Sequence, residues 1–430
     1  MPTRLDERDR GFAAGFAALL GAKRETSEDV DRVAAEIIAQ VRAGGDAALI
    51  ALTARFDALT LTPETIRVGE AEIDAAMAAC KPAQLAALET ARARIEAYHL
   101  RQKPVDSWSR DGAGVESGWR WSAIEAVGLY VPGGTASYPS SVLMNAIPAL
   151  VAGVERVVMV APTPRGEANP LVLAAARLAG VHEVYRIGGA QAVAALAYGT
   201  ATIAPVAKIV GPGNAWVAAA KRRVFGQVGI DMIAGPSEVL VIADRTANPD
   251  WIAADLLAQA EHDEAAQSIL LTDEPGLADA VEAAVESQLK TLPRAGIARR
   301  SWLDHGAIIL VADLEAAIPL VDRLAPEHLE IVTADPERLG AMIRNAGAIF
   351  LGGHTPEAIG DYVGGPNHVL PTARSARFSS GLGVADFMKR TSLLKCGPEA
   401  LRALAPAAVE LAEAEGLQAH GRSVTIRLNL

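Results

Sequence analysis

The feature that most constrains the fold is a succession of short apolar runs, each closed by glycine or proline and followed by a helical pattern. A first set comprises VGLYVPGG (127–134), RVVMVAP (156–162), EVYRIGG (183–189) and AKIVGPG (207–213). A second set comprises EVLVIAD (238–244), SILLTDE (268–274), GAIILVAD (306–313), LEIVTAD (329–335) and GAIFLGG (347–353). Strand, tight turn and helix in this order are typical of βαβ units on parallel sheets. The sequence therefore predicts an α/β protein with two Rossmann-like parallel-sheet domains.

Helical segments precede the first set of runs. A short helical pattern spans Phe12 to Leu20, too small to form a core by itself. Longer helices are predicted from Ser27 to Gly44-Gly45, from Glu70 to Met77 and from Pro82 to Leu100. We expect these early helices to pack on the second sheet.

Two further segments flank the predicted sheets. Residues Trp108 to Trp121 have the pattern of a hairpin or of irregular structure. A helix is predicted at about 398–413, followed by a terminal apolar alternation, SVTIRLNL. Small helical extensions are therefore expected at both ends of the chain.

Composition excludes several classes of protein. The 430 residues are 50% hydrophobic but only 4% aromatic, with alanine dominant, which suits helices packed closely on parallel strands. A formal net charge of −11 gives no basic surface for nucleic acid. Cys80 and Cys396 form no spaced pair, so neither a disulfide framework nor a cysteine zinc site is indicated. The N-terminus lacks a signal-peptide apolar region, and no apolar run approaches the roughly 20 residues of a membrane span, so we expect a soluble, cytoplasmic protein.

A candidate metal site lies in LLAQAEHDEAAQ (256–267), which is predicted to be helical, with Asn248 as N-cap and Pro249 as first residue. Gln259 and His262 are three residues apart and share one helical face. The glutamine oxygen and a histidine ring nitrogen can therefore converge on one metal ion. Taken alone, the pattern fits a polar helix face with a hydrogen-bonded histidine better, so the metal hypothesis depends on the rest of the chain.

Glycine turns in the first set of runs are candidates for a nucleotide site. GPGN (211–214) and GGAQ (188–191) each follow a strand and open a helix, where backbone amides favour a phosphate. The turns end in Asn214 and Gln191, and Tyr130 offers a ring that can stack on a base or a nicotinamide. No turn matches G-x-G-x-x-G, so tight connections without any ligand are an equal alternative.

Candidate acid–base residues are scattered along the second half of the chain. Glu327 and His328 are adjacent at a helix-to-strand connection. Their side chains point in different directions, so the pair can transfer protons at two positions of one substrate. Asp361 follows the carboxyl end of a strand, the usual ligand-binding edge of α/β proteins. Glu415 and His420 lie near the C-terminus. Each of these also has an ordinary explanation, as solvated surface, a turn or a helix cap.

Taken together, these segments resemble the histidinol dehydrogenase family. The matching segments lie between about residues 120 and 420 and are LLAQAEHD, GGAQA, GPGN, AGPSE, APEHLE, GDYVGGPNHVLPT, ARFSSGLGV and EGLQAH. Their combination is far more specific than any one of them. The first hundred residues fit in length and helical character but carry little motif content.

The resemblance implies an enzyme that uses zinc, one ion per subunit, and NAD to oxidise L-histidinol to L-histidine through L-histidinal. These are the last steps of histidine biosynthesis. The implied metal ligands are Gln259, His262, Asp361 and, across an interlocked homodimer, His420 of the partner subunit. The implied NAD contacts are Tyr130, Gln191 and Asn214. The implied substrate contacts are Ser237, Gln259, His262, Glu327, His328, Asp361, Glu415 and His420.

The resemblance also implies roles and a domain division. His328 is the expected general base for both oxidations, and Glu327 is expected to activate the water that hydrates the aldehyde. The expected division is an N-terminal extension (1–23), a metal and substrate domain (24–129 with 237–380), an NAD domain (130–236) and a dimerisation segment (381–430).

Three alternatives remain at this stage. A relative in the same family can oxidise another small polyol or amino alcohol. A metal hydrolase can use Glu327 and a zinc-bound water without a nucleotide, but it leaves Gln191 and Asn214 unexplained. A non-catalytic homologue is disfavoured by the intact ionisable residues.

Overall fold

Strands and helices alternate along most of the chain, as the apolar runs predict. The structure, a computed structural model, describes residues 1–21, 28–133 and 138–429. The strands within these ranges are β1 (Thr3–Asp6), β2 (Ser107–Arg110), β3 (Glu116–Ala123), β4 (Ala126–Tyr130), β5 (Arg156–Val160), β6 (Glu183–Tyr185), β7 (Lys208–Val210), β8 (Gly229–Ile230), β9 (Glu238–Ala243), β10 (Gln267–Thr272), β11 (Ala307–Leu310), β12 (His328–Val332), β13 (Ala348–Leu351) and β14 (Met388–Lys395).

The helices of the described ranges confirm most of the predicted ones. They are α1 (Phe12–Gly21), α2 (Glu28–Asp57), α3 (Glu70–Ala79), α4 (Pro82–Leu100), α5 (Pro139–Ala152), α6 (Pro170–Ala179), α7 (Gly189–Tyr198), α8 (Ala215–Val224), α9 (Pro249–Ala260), α10 (Pro275–Gln288), α11 (Ala295–His305), α12 (Leu314–Leu324), α13 (Pro336–Gly340), α14 (Glu357–Tyr362), α15 (Pro398–Ala414) and α16 (Gln418–Thr425). Helix α2 continues past the predicted end but is broken there, at Gly45, whose φ is 52°.

Both parallel sheets are confirmed, and they share one strand order. The five-stranded sheet runs β6-β5-β4-β7-β8, which is the 3-2-1-4-5 part of the Rossmann order 3-2-1-4-5-6. The six-stranded sheet runs β1-β11-β10-β9-β12-β13, which repeats that order from β9 to β13 and adds the N-terminal strand β1 at one edge. In each sheet, the first strand of this order lies next to the fourth: β4 next to β7, and β9 next to β12. The chain connections leave these two neighbours in opposite directions, which opens a crevice between them.

A third, antiparallel sheet contains the predicted hairpin. Strands β2 and β3 pair as expected from Trp108 to Trp121, and β14 adds a third strand along the whole length of β3. The segment MKRTSLLK that forms β14 is mostly exposed, so it has no buried apolar face by which the sequence could reveal it.

The expectation that the early helices pack on the second sheet is confirmed for α1, whose Phe16 is buried against the six-stranded sheet, but it is wrong for α2, α3 and α4. Helix α2 packs against α7 and α8, and α3 and α4 pack against α5 and α6, all on the five-stranded sheet. The physical reason is the composition of the inner helices. Helix α7, for example, consists mainly of alanine and valine and is buried along almost its whole length. Inner helices that are apolar on every side need an outer layer of helices to cover them.

Helix α2 is also long and apolar enough, by length and composition alone, to cross a membrane. An 18-residue window within Asp29–Asp57 has a mean hydropathy of 1.3, contrary to the expectation that no apolar run approaches a membrane span. The side chains of Ile37, Val41 and Leu49 are buried in one cluster with residues of α7 and α8. Packing against α7 and α8 therefore accounts for the apolar side chains on this face of α2.

The C-terminal segment forms a helical pair. Helices α15 and α16 pack mainly on each other, and the terminal apolar alternation is helical instead of extended. Helix α15 leaves Leu404 and Leu411 exposed, with 44% and 63% of their surface accessible. An isolated helical pair with exposed leucines has little core of its own.

Candidate active site

Glu327 and His328 lie side by side where β12 begins, next to the start of β9. Both side chains are buried, and both bind the backbone of Glu238. The Glu238 amide donates to Glu327 Oε2 at 3.0 Å, and His328 Nδ1 lies 3.0 Å from the Glu238 carbonyl oxygen. Burial raises the pKa of Glu327 to about 7, so this carboxyl can accept or release a proton near neutral pH.

The hydrogen bond of His328 fixes which ring nitrogen is basic. A carbonyl oxygen only accepts, so Nδ1 keeps its proton when the ring is neutral and Nε2 is the basic atom. Nε2 has no hydrogen-bond partner among the described residues and lies 3.6 Å from Asp361 Oδ1. Burial disfavours the charged ring, but the carboxylates of Glu327, Asp361 and Glu357 outweigh it and raise the pKa of His328 well above its usual value.

Asp361 reaches His328 because α14 runs back along β12. The Glu357 amide donates to Glu330 Oε1 at 2.7 Å, two residues past His328 on the strand. Asp361 follows Glu357 by one helical turn. Four helical residues rise about 6 Å and two strand residues span about 7 Å, so the two spacings match and bring Asp361 level with His328.

The site therefore lies at the amino ends of β9 and β12. The expectation that Asp361 marks a ligand site at the carboxyl end of a strand is wrong, because α14 carries its side chain back to the opposite end. Burial opposes the charge of Asp361, but the neighbouring His328 ring outweighs it and lowers the pKa of Asp361. The carboxylate therefore stays ionised next to the imidazole.

Helix α9 brings Gln259 to the same region. The Asn248 cap and Pro249 start this helix as predicted, with Asn248 Oδ1 accepting from the Asp250 amide at 2.9 Å. Gln259 is 1% exposed, and neither its Oε1 nor its Nε2 has a hydrogen-bond partner among the described residues. A buried amide without a partner is costly, so this side chain points to a missing ligand.

His262 and Ser237 complete the part of the site that one chain supplies. His262 lies just past α9 and is exposed, with its ring close enough to Asp361 and His328 to interact with their charges. Ser237 immediately precedes Glu238, and its carbonyl accepts from the Gln267 amide at 2.9 Å. Both positions therefore border the Glu327–His328 pair.

The structure does not bring Glu415 and His420 to this cluster. Glu415 ends α15, His420 lies in α16, and both are exposed. Helix α16 contacts mainly α15 and the turn that follows it. Within one chain, two of the predicted site residues are thus separate from the rest.

The residues present fit a zinc ion only as a partial set. Within the described ranges, no group of three or more histidine, cysteine, aspartate or glutamate side chains is arranged to hold a metal. Of the predicted ligands, only His262 and Asp361 are of these types and lie at the site. The unpartnered Gln259 amide adds a third donor, and nitrogen and oxygen donors suit zinc, so the set fits but lacks one ligand.

The predicted nucleotide residues lie at the carboxyl edge of the other sheet. The Gly189 amide donates to the Tyr130 hydroxyl at 3.0 Å, and Gln191 is buried in the first turn of α7. Tyr130 is only 4% exposed, so its ring is covered by the protein in this conformation, and its contact with a nucleotide stays a prediction. A cavity of about 130 Å³ opens at the same edge, lined in part by Gly133 and Asn169.

The 211–214 turn is anchored by a buried ion pair. The Gly211 amide donates to Asp231 Oδ2 at 2.7 Å, and Lys221 Nζ donates to the Gly211 carbonyl at 3.0 Å and pairs with Asp231. Gly211 has a φ of 110°, and a Cβ there would lie 2.1 Å from the Tyr130 carbonyl oxygen. Asn214 caps α8 by accepting from the amides of Trp216 and Val217, which leaves its amide nitrogen for a ligand.

Several buried polar residues next to the site were missed from the sequence. Glu330 and Glu357 are 1% and 2% exposed, and burial raises the pKa of Glu357 to about 8. His368 Nδ1 lies 2.9 Å from the Asp361 carbonyl. A usable signal existed for Glu330, a carboxylate inside the apolar strand HLEIV and two positions from His328.

The comparisons with known proteins agree with one another. The family model described as histidinol dehydrogenase matches residues 21–428. Relatives named histidinol dehydrogenase from Bradyrhizobium diazoefficiens and Rhodopseudomonas palustris are each 70% identical, over 100% of this chain and 100% of theirs. The crystal structure of histidinol dehydrogenase from Elizabethkingia anophelis matches with a TM-score of 0.95 at 37% identity, covering 100% of this chain and 98% of that one. The chain therefore belongs to the histidinol dehydrogenase family of oxidoreductases.

Proposed function

We propose that this protein oxidises L-histidinol to L-histidine through L-histidinal, using one zinc ion per subunit and NAD. The observation that carries the proposal is the buried, unpartnered Gln259 side chain on α9, in the same region as Glu327, His328 and Asp361. An acid–base pair next to an incomplete set of metal ligands suits the oxidation of an alcohol that can itself bind the metal.

Gln259, His262 and Asp361 would hold the zinc from one chain. His420 from a second copy of the chain would complete the set, since it is exposed and remote from the site of its own chain. This assigns the 381–430 segment to dimerisation. When bound, zinc would orient the imidazole and amine of the substrate by chelation, and NAD would accept each hydride.

His328 and Glu327 divide the proton transfers. The neutral form of His328 takes the proton of the substrate hydroxyl at Nε2, while its Nδ1 stays bound to the Glu238 carbonyl and holds the ring in place. Glu327 takes a proton from the water that adds to the aldehyde, and the protonated His328 gives its proton to the carbonyl oxygen, which forms the hydrate and leaves His328 neutral again. The hydrated aldehyde then loses its hydroxyl proton to His328 in the second oxidation.

The remaining substrate contacts surround this pair. Glu415 of a second copy is suited to accept the imidazole N–H of histidinol, and Ser237 borders Glu327 through Glu238. The proposed substrate-binding set is Ser237, Gln259, His262, Glu327, His328, Asp361, Glu415 and His420.

The nucleotide would bind residues 130–236, at the carboxyl edge of the five-stranded sheet. Gln191 and the amide nitrogen of Asn214 are the proposed side-chain contacts, and Tyr130 contributes by holding Gly189. The site has no G-x-G-x-x-G fingerprint. A shallow nucleotide site suits a reaction in which one NAD must leave and another enter while the aldehyde stays bound.

The other proposed divisions are the metal and substrate domain around 237–380 and the N-terminal extension of residues 1–23. The described part of 24–129 contacts chiefly the nucleotide-binding sheet through α2, α3 and α4. We propose a cytoplasmic location, as for other enzymes of amino-acid biosynthesis, and no nucleic-acid or membrane partner.

The direct test is substrate-dependent NADH formation after metal removal and reloading. Protein stripped with a chelator should be inactive and should regain activity with zinc, with histidinol preferred over other amino alcohols. Equal or better turnover of another amino alcohol would move the assignment to a different substrate within the same family. Hydrolytic activity without NAD binding would instead favour a metal hydrolase.

A further inference from the structure

The segment that joins Asp361 to His368 is held from outside its own sheet. We call residues 363–367 the VGGPN turn. It begins where α14 ends and leads directly to His368, whose Nδ1 lies 2.9 Å from the Asp361 carbonyl and closes the turn. The position of this turn therefore sets where both Asp361 and His368 lie.

Helix α4 binds the first half of the VGGPN turn. Arg94 Nε donates to the Val363 carbonyl at 2.5 Å, and its Nη2 donates to the Gly364 carbonyl at 3.3 Å. Gly365 has a φ of 108°, and a Cβ there would lie 3.1 Å from the Arg94 carbonyl oxygen. The turn thus lies directly against the helix backbone, and the fork of one arginine binds two successive carbonyls.

The second half of the turn is fixed by a buried chain of hydrogen bonds. Asn367 Nδ2 donates to the Met144 carbonyl of α5 at 2.6 Å and lies 3.4 Å from His99 Nε2. His99 Nδ1 donates to the Ile95 carbonyl at 2.7 Å, so Nε2 is the acceptor of the neutral ring. Burial lowers the pKa of His99, which favours the neutral ring.

These contacts cross from one sheet to the other. Helices α4 and α5 pack together on the five-stranded sheet, whereas Asp361 meets His328 on the six-stranded sheet. Ser141 of α5 adds a contact of 3.4 Å to His368 Nε2. The helices of the nucleotide-binding side therefore hold the loop that carries a proposed metal ligand.

We propose that α4 positions Asp361 for metal binding, with Arg94 and His99 as positioning residues that act through the VGGPN turn. The claim rests on the proposed function in one respect, the role of Asp361 as a zinc ligand. It gives a specific task to a helix in the part of the chain that carries almost no motif. Partners of this kind, which fix a ligand without touching the metal, typically change metal affinity 10- to 100-fold when removed.

The test compares two arginines on the same helix. Arg94→Met removes both donors to the turn, and Arg92→Met removes only a surface ion pair with Glu96 on α4 itself. Both arginines are at the surface, so neither change leaves a buried charge unpaired. Zinc affinity is measured by competition with a chromophoric chelator, and NAD affinity by calorimetry on the same samples.

Arg94→Met should bind zinc about tenfold more weakly than wild type, and Arg92→Met within twofold of it. The zinc affinity of Arg94→Lys should lie between those of wild type and Arg94→Met, because an ammonium can reach one carbonyl but not both. NAD affinity should be unchanged in all three variants, which a general loss of folding would not produce.

Equal zinc affinities for Arg94→Met and wild type would overturn the positioning role, as would an equal loss in Arg92→Met. Asn367→Ala is a second test of the same role. It removes the hydrogen bonds to Met144 and His99, so it should also weaken zinc binding. Wild-type protein that binds no zinc at all would refute the proposed function itself, and the positioning role with it.

Discussion

At the scale of single residues, one backbone unit separates the tasks of the two acid–base groups. Glu238 donates its amide to Glu327 and accepts from His328 at its carbonyl, so neither side chain can turn to replace the other. Glu327, with a pKa raised to about 7 by burial, suits the activation of water, and His328 Nε2 faces Asp361. The account therefore assigns the two groups to different steps.

This separation predicts a split phenotype for Glu327→Gln. The amide keeps an acceptor for the Glu238 amide but cannot take a proton from water. We expect the oxidation of histidinal to slow by about 10²- to 10⁴-fold, with the first oxidation much less affected. Rapid-mixing measurement of NADH, with trapping of released aldehyde, should show one fast equivalent and a slow second. Equal slowing of both phases would contradict the assigned roles.

At the scale of elements, three carboxyl groups meet where α9, β12 and α14 pack together. Asp255 and Glu330 interact directly, and Glu357 binds Glu330 through its amide. Burial raises the pKa of Asp255 to about 6 and that of Glu330 well above its usual value. In each case the folded state holds the proton more tightly than the unfolded chain does.

Because the folded state holds these protons more tightly, the protein should lose stability as the pH rises. The contribution of Asp255 is full below its unfolded pKa of 3.8 and is lost as the pH rises toward about 6, and Glu330 acts in the same direction at higher pH. The urea concentration at the unfolding midpoint of the metal-free protein should therefore decrease as the pH is raised from 5 to 8. Glu330→Gln should reduce that fall by on the order of 1 kcal/mol in unfolding free energy.

A matched control for this prediction is Glu286→Gln, which removes an exposed carboxylate on α10 that pairs with Arg299 of α11. Its urea midpoint should follow the wild-type pH dependence. If Glu330→Gln also follows the wild-type curve, the buried carboxyl cluster does not control stability in this range.

Elements whose sequences carry their own periodicity could be predicted, and elements defined by a distant partner could not. The strands with buried apolar runs and the helix started by Asn248 and Pro249 were confirmed. Strand β14 was missed because its sequence is polar and its order depends on pairing with β3. The family resemblance proposes the site as a set of residues, of which one chain brings together those on β12, α9 and α14, but the return of α14 along β12 depends on tertiary packing that the sequence does not reveal.

At the scale of the whole molecule, the two proposed sites lie at opposite edges of two sheets that have the same strand order. The proposed nucleotide residues follow the carboxyl ends of β4, β6 and β7, whereas the Glu327–His328 pair lies at the amino ends of β9 and β12. Glu415 and His420 lie on a helical pair that contacts neither site closely in one chain. A complete zinc site in this account therefore needs two copies of the chain.

Complementation between inactive variants tests that requirement. Gln259→Ala and His420→Ala homodimers should each be inactive, since each lacks a zinc ligand in every site. After subunit exchange at equal concentrations, half of the dimers are mixed and carry one intact site of two, so about a quarter of wild-type activity should return. Proven exchange without recovery would show that the two residues act in the same chain or not at one site.

The most direct test of the central claim is the number of NADH molecules formed per molecule of L-histidinol consumed. Zinc-loaded protein with excess NAD should form two NADH per histidinol and release histidine, and a chelator should abolish the reaction. One NADH per histidinol with aldehyde as the product, or a yield unaffected by chelation, would contradict a zinc-dependent four-electron oxidation at this site.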